Sequence, residues 1–230
     1  MGIGRTVGGW AMGVLAAALL WPSGARAQIE TSIDSTSGSG NNWSATAGRT
    51  AGAGNSVLQA EAGWPGIGFT YLHGVNADTD VGFHVGFNYG FEGTTTTVSG
   101  LNLAVPYRHV LGQAGDTTFS FRTDPGLTIY GNHGSALVGV GGPIGVVAGF
   151  RIDPRLTLDV GADVPVLLSF SNPAGFLFGP QIGGGGEYLI ENNLAVTARV
   201  RVGPEFGLNT AGTGSQTAFQ TLVGLAYNTR

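Results

Sequence analysis

The sequence lacks cysteine and lysine altogether. Without cysteine the chain can form no disulfide, carry no thiol nucleophile and bind no zinc through thiolates. All of its basic residues are arginine and the formal net charge is -4, so the diffuse basic surface that nucleic-acid binding requires is missing. The composition therefore excludes thiol chemistry and predicts no nucleic-acid partner.

Long apolar runs are scarce as well. After the first 27 residues, the longest one is residues 137–150, but it contains Pro143 and five glycines and is followed by Arg151, so the stretch falls short of the roughly 18 residues of a membrane-spanning helix. Glycine is abundant, with 42 residues, yet it follows no three-residue repeat, which excludes collagen. Most of the glycine must therefore lie within regular structure.

The first 27 residues have the layout of a secretory signal peptide. Arg5 is followed by an apolar stretch over residues 14–21, a break at Pro22 and the small-x-small cleavage site Ala25-Arg26-Ala27. A membrane-spanning helix is the alternative, but the stretch is short for one. Residues 28–55 are rich in Ser, Thr, Gly and Asn. Because they offer little apolar surface to offset the entropy of ordering, we expect a flexible periplasmic segment.

Residues 56–230 alternate with a period of two. In residues 81–92 the odd positions are Val, Phe, Val, Phe, Tyr and Phe, and the even positions are Gly, His, Gly, Asn, Gly and Glu. Successive side chains of a strand point to opposite faces, so one face is apolar and the other is small or polar. Similar segments lie near residues 57–63, 66–75, 101–112, 118–130, 137–152, 156–170, 176–190, 194–208 and 218–227.

Aromatic and charged residues separate by this parity. All twelve phenylalanines fall on the apolar parity of their segments, and the charges fall on the other. We expect these charges to form a network in a lumen: Glu61, Glu92, Arg108, Arg122, Asp124, Arg151, Asp159, Asp163, Glu187, Arg199, Arg201 and Glu205.

An apolar outside with a polar inside is the pattern of a membrane barrel. The alternative is a secreted β-sandwich, whose apolar parity would face a second sheet. The prediction is an all-β fold, a closed antiparallel up-and-down transmembrane β-barrel of about ten strands, with about eight or twelve as alternatives.

Aromatic residues on the apolar parity also gather near the strand ends, where girdles anchor a barrel at the two membrane interfaces. The predicted girdle is Trp64, Phe91, Tyr107, Phe150, Phe170, Phe176, Tyr188, Phe206 and Tyr227. Together with the signal peptide and a last strand at residues 222–227, these features resemble the small bacterial outer-membrane β-barrel superfamily over residues 56–230. The resemblance implies an outer-membrane location, contact with its lipid and insertion by the barrel-assembly machinery. That machinery recognises a final strand ending in an aromatic residue, whereas Asn228, Thr229 and Arg230 follow Tyr227 here.

Pairing of arginine with carboxylates predicts a largely filled lumen, and hence a structural or interaction role without bulk transport. A narrow passive pore is the alternative, in which an acidic mouth containing Glu61, Glu92, Asp124 and Glu205 attracts cations. A further alternative is a rim enzyme acting on lipid or peptide, with His133 and Ser135 as its candidate pair. No H-x-x-x-H spacing occurs and Ile144 replaces the third glycine of a dinucleotide fingerprint. We therefore predict no metal, no cofactor and no enzymatic activity.

Overall fold

The computed structural model describes residues 43–90, 99–132, 135–171, 174–209 and 212–229. The signal peptide predicted for residues 1–27 lies outside these ranges. Every regular element within them is a β-strand, and these residues contain no helix long and apolar enough to cross a membrane.

The chain forms β1 (Ser56–Trp64), β2 (Gly66–Gly74), β3 (Thr79–Asn88), β4 (Ser99–Ala104), β5 (Tyr107–Ala114), β6 (Thr117–Thr123), β7 (Gly126–Asn132), β8 (Ser135–Arg151), β9 (Leu156–Ser169), β10 (Gly175–Phe178), β11 (Gln181–Glu191), β12 (Leu194–Asn209) and β13 (Gly212–Thr229). These bounds agree closely with the alternating segments of the sequence.

The strands form a closed antiparallel barrel. The last strand, β13, pairs with β1, so that Ser56 lies opposite Thr229 and Trp64 opposite Thr221. Three barrel strands are each split into two elements, namely β4 with β5, β6 with β7, and β10 with β11. In each case both elements form hydrogen bonds with the same neighbouring strands. The thirteen elements thus make a barrel of ten strands, which confirms the predicted closed antiparallel barrel of about ten strands.

The three interruptions coincide with Pro106, Pro125 and Pro180. Proline has no backbone N–H to donate to a neighbouring strand, which is why it is rare inside sheets. Hydrogen bonding nevertheless continues across the first break, where Val105 N donates to Pro125 O at 2.9 Å. The prolines therefore interrupt the ladder locally without opening the barrel.

The hairpin between β12 and β13 is longer than expected. The sequence pattern ends β12 near residue 208 and begins β13 near residue 218. In the structure the two strands stay paired up to Asn209 and Gly212. The additional residues of β13 are Gly, Thr, Ser and Gln, which carry no apolar parity. Because backbone pairing requires no apolar side chain, the alternation could not reveal this extension.

The barrel wall has an apolar outside and a polar inside. None of the described phenylalanines is buried, and Phe83 and Phe87 are each 47% exposed. None of the described members of the charge network is exposed, and Asp163 and Glu187 are among the buried ones. The alternation in the sequence therefore sorts side chains between the two faces as predicted.

The two ends of the barrel differ. At one, called the turn end, short turns join β2 to β3, β5 to β6, β8 to β9 and β11 to β12, and β1 begins there. The other is called the loop end. Residues 43–55, called the plug, lie inside the turn end, where Trp43, Ala47 and Ala51 are buried. The structure thus differs from the flexible segment expected over residues 28–55, because in 43–55 the barrel wall supplies the contacts that the segment's own composition lacks.

Candidate functional site

Part of the charge network is held together across an inward glycine. Arg122 of β6 lies opposite Gly145 of β8, and Gly145 lies opposite Asp163 of β9. Arg122 Nη2 donates to Asp163 Oδ2 at 2.9 Å, and Arg201 of β12 donates to the other oxygen of the same carboxylate. A Cβ at residue 145 would overlap Asp163 Cβ. Glycine therefore lets these side chains meet between strands that are not direct neighbours.

A second ion pair also crosses an inward glycine. Arg199 Nη2 of β12 donates to Glu61 Oε2 of β1 at 2.7 Å, across β13, which lies between them. Gly224 of β13 lies opposite Glu61, and a Cβ there would be 2.8 Å from Glu61 Cγ. The high glycine content is thus explained in part by the room that the lumen charges need.

Arg108 pairs with a residue that was not predicted. Asp80, at the start of β3, is fully buried and accepts a hydrogen bond from Arg108 Nε at 3.0 Å. The sequence pattern begins this strand at residue 81, so Asp80 was left out of the network. Asp80 and His84 both occupy even positions of β3. This shared inward parity could have identified Asp80 as a lumen residue.

This pair also holds the plug. Arg108 Nη2 donates to Ser44 O at 2.9 Å, and Arg108 Nη1 donates to Ala45 O at 3.2 Å. Asp80 Oδ1 accepts from Ala51 N at 3.0 Å. One buried ion pair therefore binds two separate points of the plug backbone.

Glu187 of β11 holds the plug from the opposite wall, since four barrel strands separate β11 from β3 in either direction. Its Oε2 accepts hydrogen bonds from Ser44 Oγ at 3.0 Å, Ala45 N at 2.9 Å and Thr46 N at 3.2 Å. Hydrogen bonds to a charged acceptor are stronger than neutral ones. The plug is thus fastened across the full width of the lumen.

Backbone fit adds to these polar contacts. Gly149 of β8 and Gly74 of β2 face the plug so closely that a Cβ would overlap Ala47 O and Gly52 O respectively. Gly48 adopts a φ of 89°, which favours glycine. The wall and the plug are therefore complementary in shape as well as in charge.

Apolar side chains complete the seal. Trp43 packs within a buried cluster and donates from Nε1 to Asn192 O at 3.0 Å. The other members of the cluster are Ala45, Ala51, Val57, Leu72, Leu189, Ala195 and Ala226. The plug therefore buries the inward apolar residues of the turn end, and together they form a small hydrophobic core.

Beyond the plug, the lumen contains a chamber of about 280 Å³. Ala45 and Thr46 of the plug lie at its boundary, and Arg122, Arg199 and Arg201 line its charged side. The other side, called the neutral wall, consists of Thr70, His84, Asn88, Asn102, Thr128 and Tyr130.

Side chains of the neutral wall are held by one another. Asn102 Nδ2 donates to Thr128 Oγ1 at 2.9 Å, and Asn88 Nδ2 donates to Tyr130 Oη at 2.7 Å. His84 is fixed between two glycines, since a Cβ at Gly68 would lie 2.7 Å from its Cε1. The polar side chains on this side of the chamber are therefore preorganised, while Val147, Leu167, Leu177 and Phe178 are among the apolar residues that also line it.

The other predicted network members have separate environments. Glu205 accepts from Gln216 Nε2 at 2.6 Å. Asp124, Arg151 and Asp159 are half-buried and form no ion pair with another described residue. Glu92 lies outside the described residues.

The predicted girdle is distributed over the outer surface. Its exposed members are Phe150, Phe170, Phe176, Tyr188, Phe206 and Tyr227. Trp64 and Tyr107 are half-buried, and Phe91 lies outside the described residues. Phe178 joins two members into one aromatic cluster, with its ring centroid 5.5 Å from those of both Phe176 and Phe206. Anchoring at a membrane interface stays a prediction.

The three histidines in the described residues, His73, His84 and His109, do not assemble a recognisable reaction centre. His73 Nδ1 and Ser56 Oγ are hydrogen-bonded at 3.0 Å, as are His109 Nδ1 and Thr79 Oγ1. Over the described part of the chain, no group of three or more His, Asp or Glu could hold a metal ion. The candidate rim residue His133 lies outside that part.

No model of a known protein family matches the chain, and no curated protein matches it either. Its function must therefore be argued from the barrel wall, the plug and the chamber.

Proposed function

We propose that the chain is an integral outer-membrane β-barrel of a Gram-negative bacterium, exported by its N-terminal signal peptide, with a lumen sealed at the periplasmic end by its own plug. It has a structural or interaction role and does not transport solutes in bulk. The observation that carries this proposal is the attachment of residues 43–55 to opposite walls by Asp80, Arg108 and Glu187.

The outer surface supports insertion into lipid. Large apolar side chains such as Ile67, Phe83 and Val223 are about half exposed and occur around the barrel, which is far more than single scattered apolar residues on a soluble protein. The shortest unbroken strands, β1 and β2, have nine residues each, and a tilted membrane strand needs about 9–11. Closure leaves no sheet edge unpaired in lipid.

The plug supports the absence of bulk transport. A barrel of about eight strands is just filled by side chains, and wide aqueous channels need roughly sixteen or more. This barrel leaves a chamber beside the ion pairs, but the plug occupies the turn end. The four connections at the sealed end have four residues or fewer, and short turns are typical of the periplasmic side of such barrels; this supports a periplasmic location for the sealed end.

Membrane insertion is tested by fractionation of Gram-negative cells that express the full chain. We expect the protein in the outer-membrane fraction, and we expect its mobility in a denaturing gel to change when the sample is boiled, because a closed barrel resists detergent until heated. A soluble protein without this heat-dependent shift would contradict the proposal.

The seal is tested by planar-bilayer recording. We expect no steady conductance from the intact chain and frequent openings from Gly149→Val, whose side chain takes the place of Ala47 O. Gly112→Val is the matched control, since nothing lies within 4 Å of a Cβ at that position in β5. Steady conductance of the unaltered protein would favour the narrow passive pore instead.

A further inference from the structure

The loop-end half of β13 lacks a neighbour on one side. β13 pairs with β12 from Gly212 onwards, whereas its other neighbour, β1, ends at Trp64, which lies opposite Thr221. No other strand of the described residues pairs with β13 between Gly212 and Gln220. Residues 212–220, called the free edge, are therefore hydrogen-bonded to the sheet on one side only.

Backbone groups of alternate residues point away from the sheet along the free edge. Near the turn end, Asn228 N donates to Asn193 O, on the β12 side of the strand. Successive residues direct their N–H and C=O groups to opposite edges, so those of odd-numbered residues face the β1 side. Thr221 O agrees with this direction, since a Cβ at Gly63 of β1 would overlap it. In the free edge the odd-numbered residues are Thr213, Ser215, Thr217 and Phe219, and all of them are exposed.

The free edge has none of the features that usually prevent a strand from pairing. Exposed edges are commonly protected by charged side chains, by proline or by a bulge. Residues 212–220 contain neither a charged residue nor proline, and their register with β12 is uninterrupted. Among the described residues, nothing lies within 4 Å of a Cβ built at Gly212 or Gly214. The edge is therefore accessible to another strand.

The free edge lies in water if the barrel spans a membrane. Unpaired backbone N–H and C=O groups are not tolerated in hydrocarbon. β1 has nine residues, which is about the length that a membrane strand needs, and the free edge lies beyond its loop-end residue, Trp64. The inference that follows rests on the proposed function, in which the loop end faces the outside of the cell.

The position of the free edge favours a short peptide segment over a second copy of the chain. A row of exposed backbone groups is complementary to another extended strand. That strand must end or turn at the level of Trp64, because β1 occupies the position below it. A second copy in the same membrane has the same orientation, so its β13 would continue downwards into β1. A segment that ends or turns at this level avoids the collision.

The side chains around the free edge indicate an uncharged segment. Its outer face carries Thr213, Ser215, Thr217 and Phe219, and pairs of Thr, Ser, aromatic and β-branched residues across neighbouring strands are favourable. On the inner face Glu205 accepts a hydrogen bond from Gln216 Nε2 at 2.6 Å, so an acidic segment would be repelled. We propose that the free edge of β13 binds an extended, uncharged segment of a partner protein, rich in Thr and Val, as an added strand of the barrel wall.

The probe is a synthetic peptide as long as the free edge, in which Thr and Val alternate and every Val is N-methylated. The methyl groups block one edge of the peptide, so that it pairs through its Thr edge and does not aggregate. The control peptide is N-methylated at every residue and offers no N–H at all. Both are added to the folded full chain in detergent micelles.

Backbone hydrogen exchange measured by NMR reports the pairing residue by residue. We expect the amides of Thr213, Ser215, Thr217 and Phe219 to exchange rapidly in the free protein and about tenfold or more slowly with saturating probe peptide. The amides of Gly214 and Gln216, which face β12, should be protected throughout. The control peptide should change neither set.

Three outcomes of this experiment would overturn the inference. The first is exchange at the four amides that the probe peptide leaves unchanged. The second is slow exchange in dilute protein without peptide, which would show that the chain itself covers the edge. The third is exchange that slows as the protein concentration rises without peptide, which would assign the edge to a second copy.

Two substitutions at one position test the backbone contact. Thr217→Pro removes an N–H that faces the free edge and should weaken binding of the probe peptide about fivefold or more. Proline is tolerated where the N–H of an edge strand faces solvent, so the barrel should still fold, as the heat-dependent gel shift reports. Thr217→Val keeps the N–H and is the matched control. Equal binding by the two folded variants would contradict the proposal.

The two proposals fail separately. A chain that fractionates with the outer membrane and shows the gel shift, but whose edge amides do not respond to the peptide, loses only the peptide-binding edge. A chain that fails fractionation and the gel shift loses the membrane function itself.

Discussion

Arg108→Gln should destabilise the barrel and loosen its plug. The substitution leaves Asp80 fully buried without its cationic partner and removes the guanidinium donors to Ser44 O and Ala45 O. Removing one partner of a buried ion pair costs about 3–5 kcal/mol. We expect a decrease of that size in the free energy of unfolding.

A double variant separates charge from hydrogen bonding. Asp80→Asn combined with Arg108→Gln removes the uncompensated charge and leaves mainly lost hydrogen bonds, each worth about 1 kcal/mol. The double variant should therefore be more stable than Arg108→Gln alone. It should still show more plug release than the unaltered chain, because a neutral amide then replaces the charged guanidinium as the donor to the plug.

The assay is urea unfolding of the protein inserted in lipid vesicles, followed by tryptophan fluorescence and the heat-dependent gel shift, with bilayer conductance as the readout of the plug. Arg155→Gln, in an exposed turn, is the control and should change stability by less than about 0.5 kcal/mol. The reasoning is refuted if Arg108→Gln behaves like this control in both stability and conductance.

Three further outcomes follow from the same contacts. Gly145→Val should lower the free energy of unfolding by about 1–3 kcal/mol, measured by urea titration, since its side chain displaces the ion pair that crosses it; unchanged stability would show that the pair does not depend on glycine. Glu187→Gln should weaken plug attachment by about 1.5–3 kcal/mol and raise the open probability in bilayers while the gel shift is retained; a closed channel would exclude Glu187 as a fastening point. Phe83→Arg on the outer wall should cost about 2–4 kcal/mol in lipid, against almost nothing for Val75→Arg in an exposed turn, and equal costs would contradict a lipid-facing wall.

Much of the barrel could be predicted because strand geometry leaves a local signature. In β3, Phe83 and Phe87 share one face, and His84 lies on the other, so a parity visible in the sequence becomes a division between outside and inside. The same rule selected Arg122, Asp163 and Arg201 as lumen residues. Which of them pair depends on the register of successive strands β6, β8, β9, β11 and β12 and, for Arg122 and Asp163, on the intervening Gly145, and parity contains no information about either.

The plug could not be predicted for a related reason. Residues 43–55 contain few apolar side chains and no alternation, so by composition they resemble a flexible segment. They are held by Asp80 and Arg108, which pair on the neighbouring strands β3 and β5, and by Glu187 on the opposite wall, which reaches the same segment only when the sheet closes. The sequence does contain Trp43 and glycines at 48, 52 and 54. Their contacts are with residues of the barrel wall, however, and the sequence of the segment does not indicate those contacts.

The sequence alone determined that the chain is a β-barrel with an apolar outside and a charged inside, because the two-residue period of a strand places each side chain on one face without reference to the rest of the fold. The tertiary structure decided that the lumen is sealed at one end, that Asp80 belongs to the charge network and that a polar chamber remains. These features arise from contacts between residues far apart in the chain, such as Ala45 and Glu187, whose distance is set by closure of the sheet.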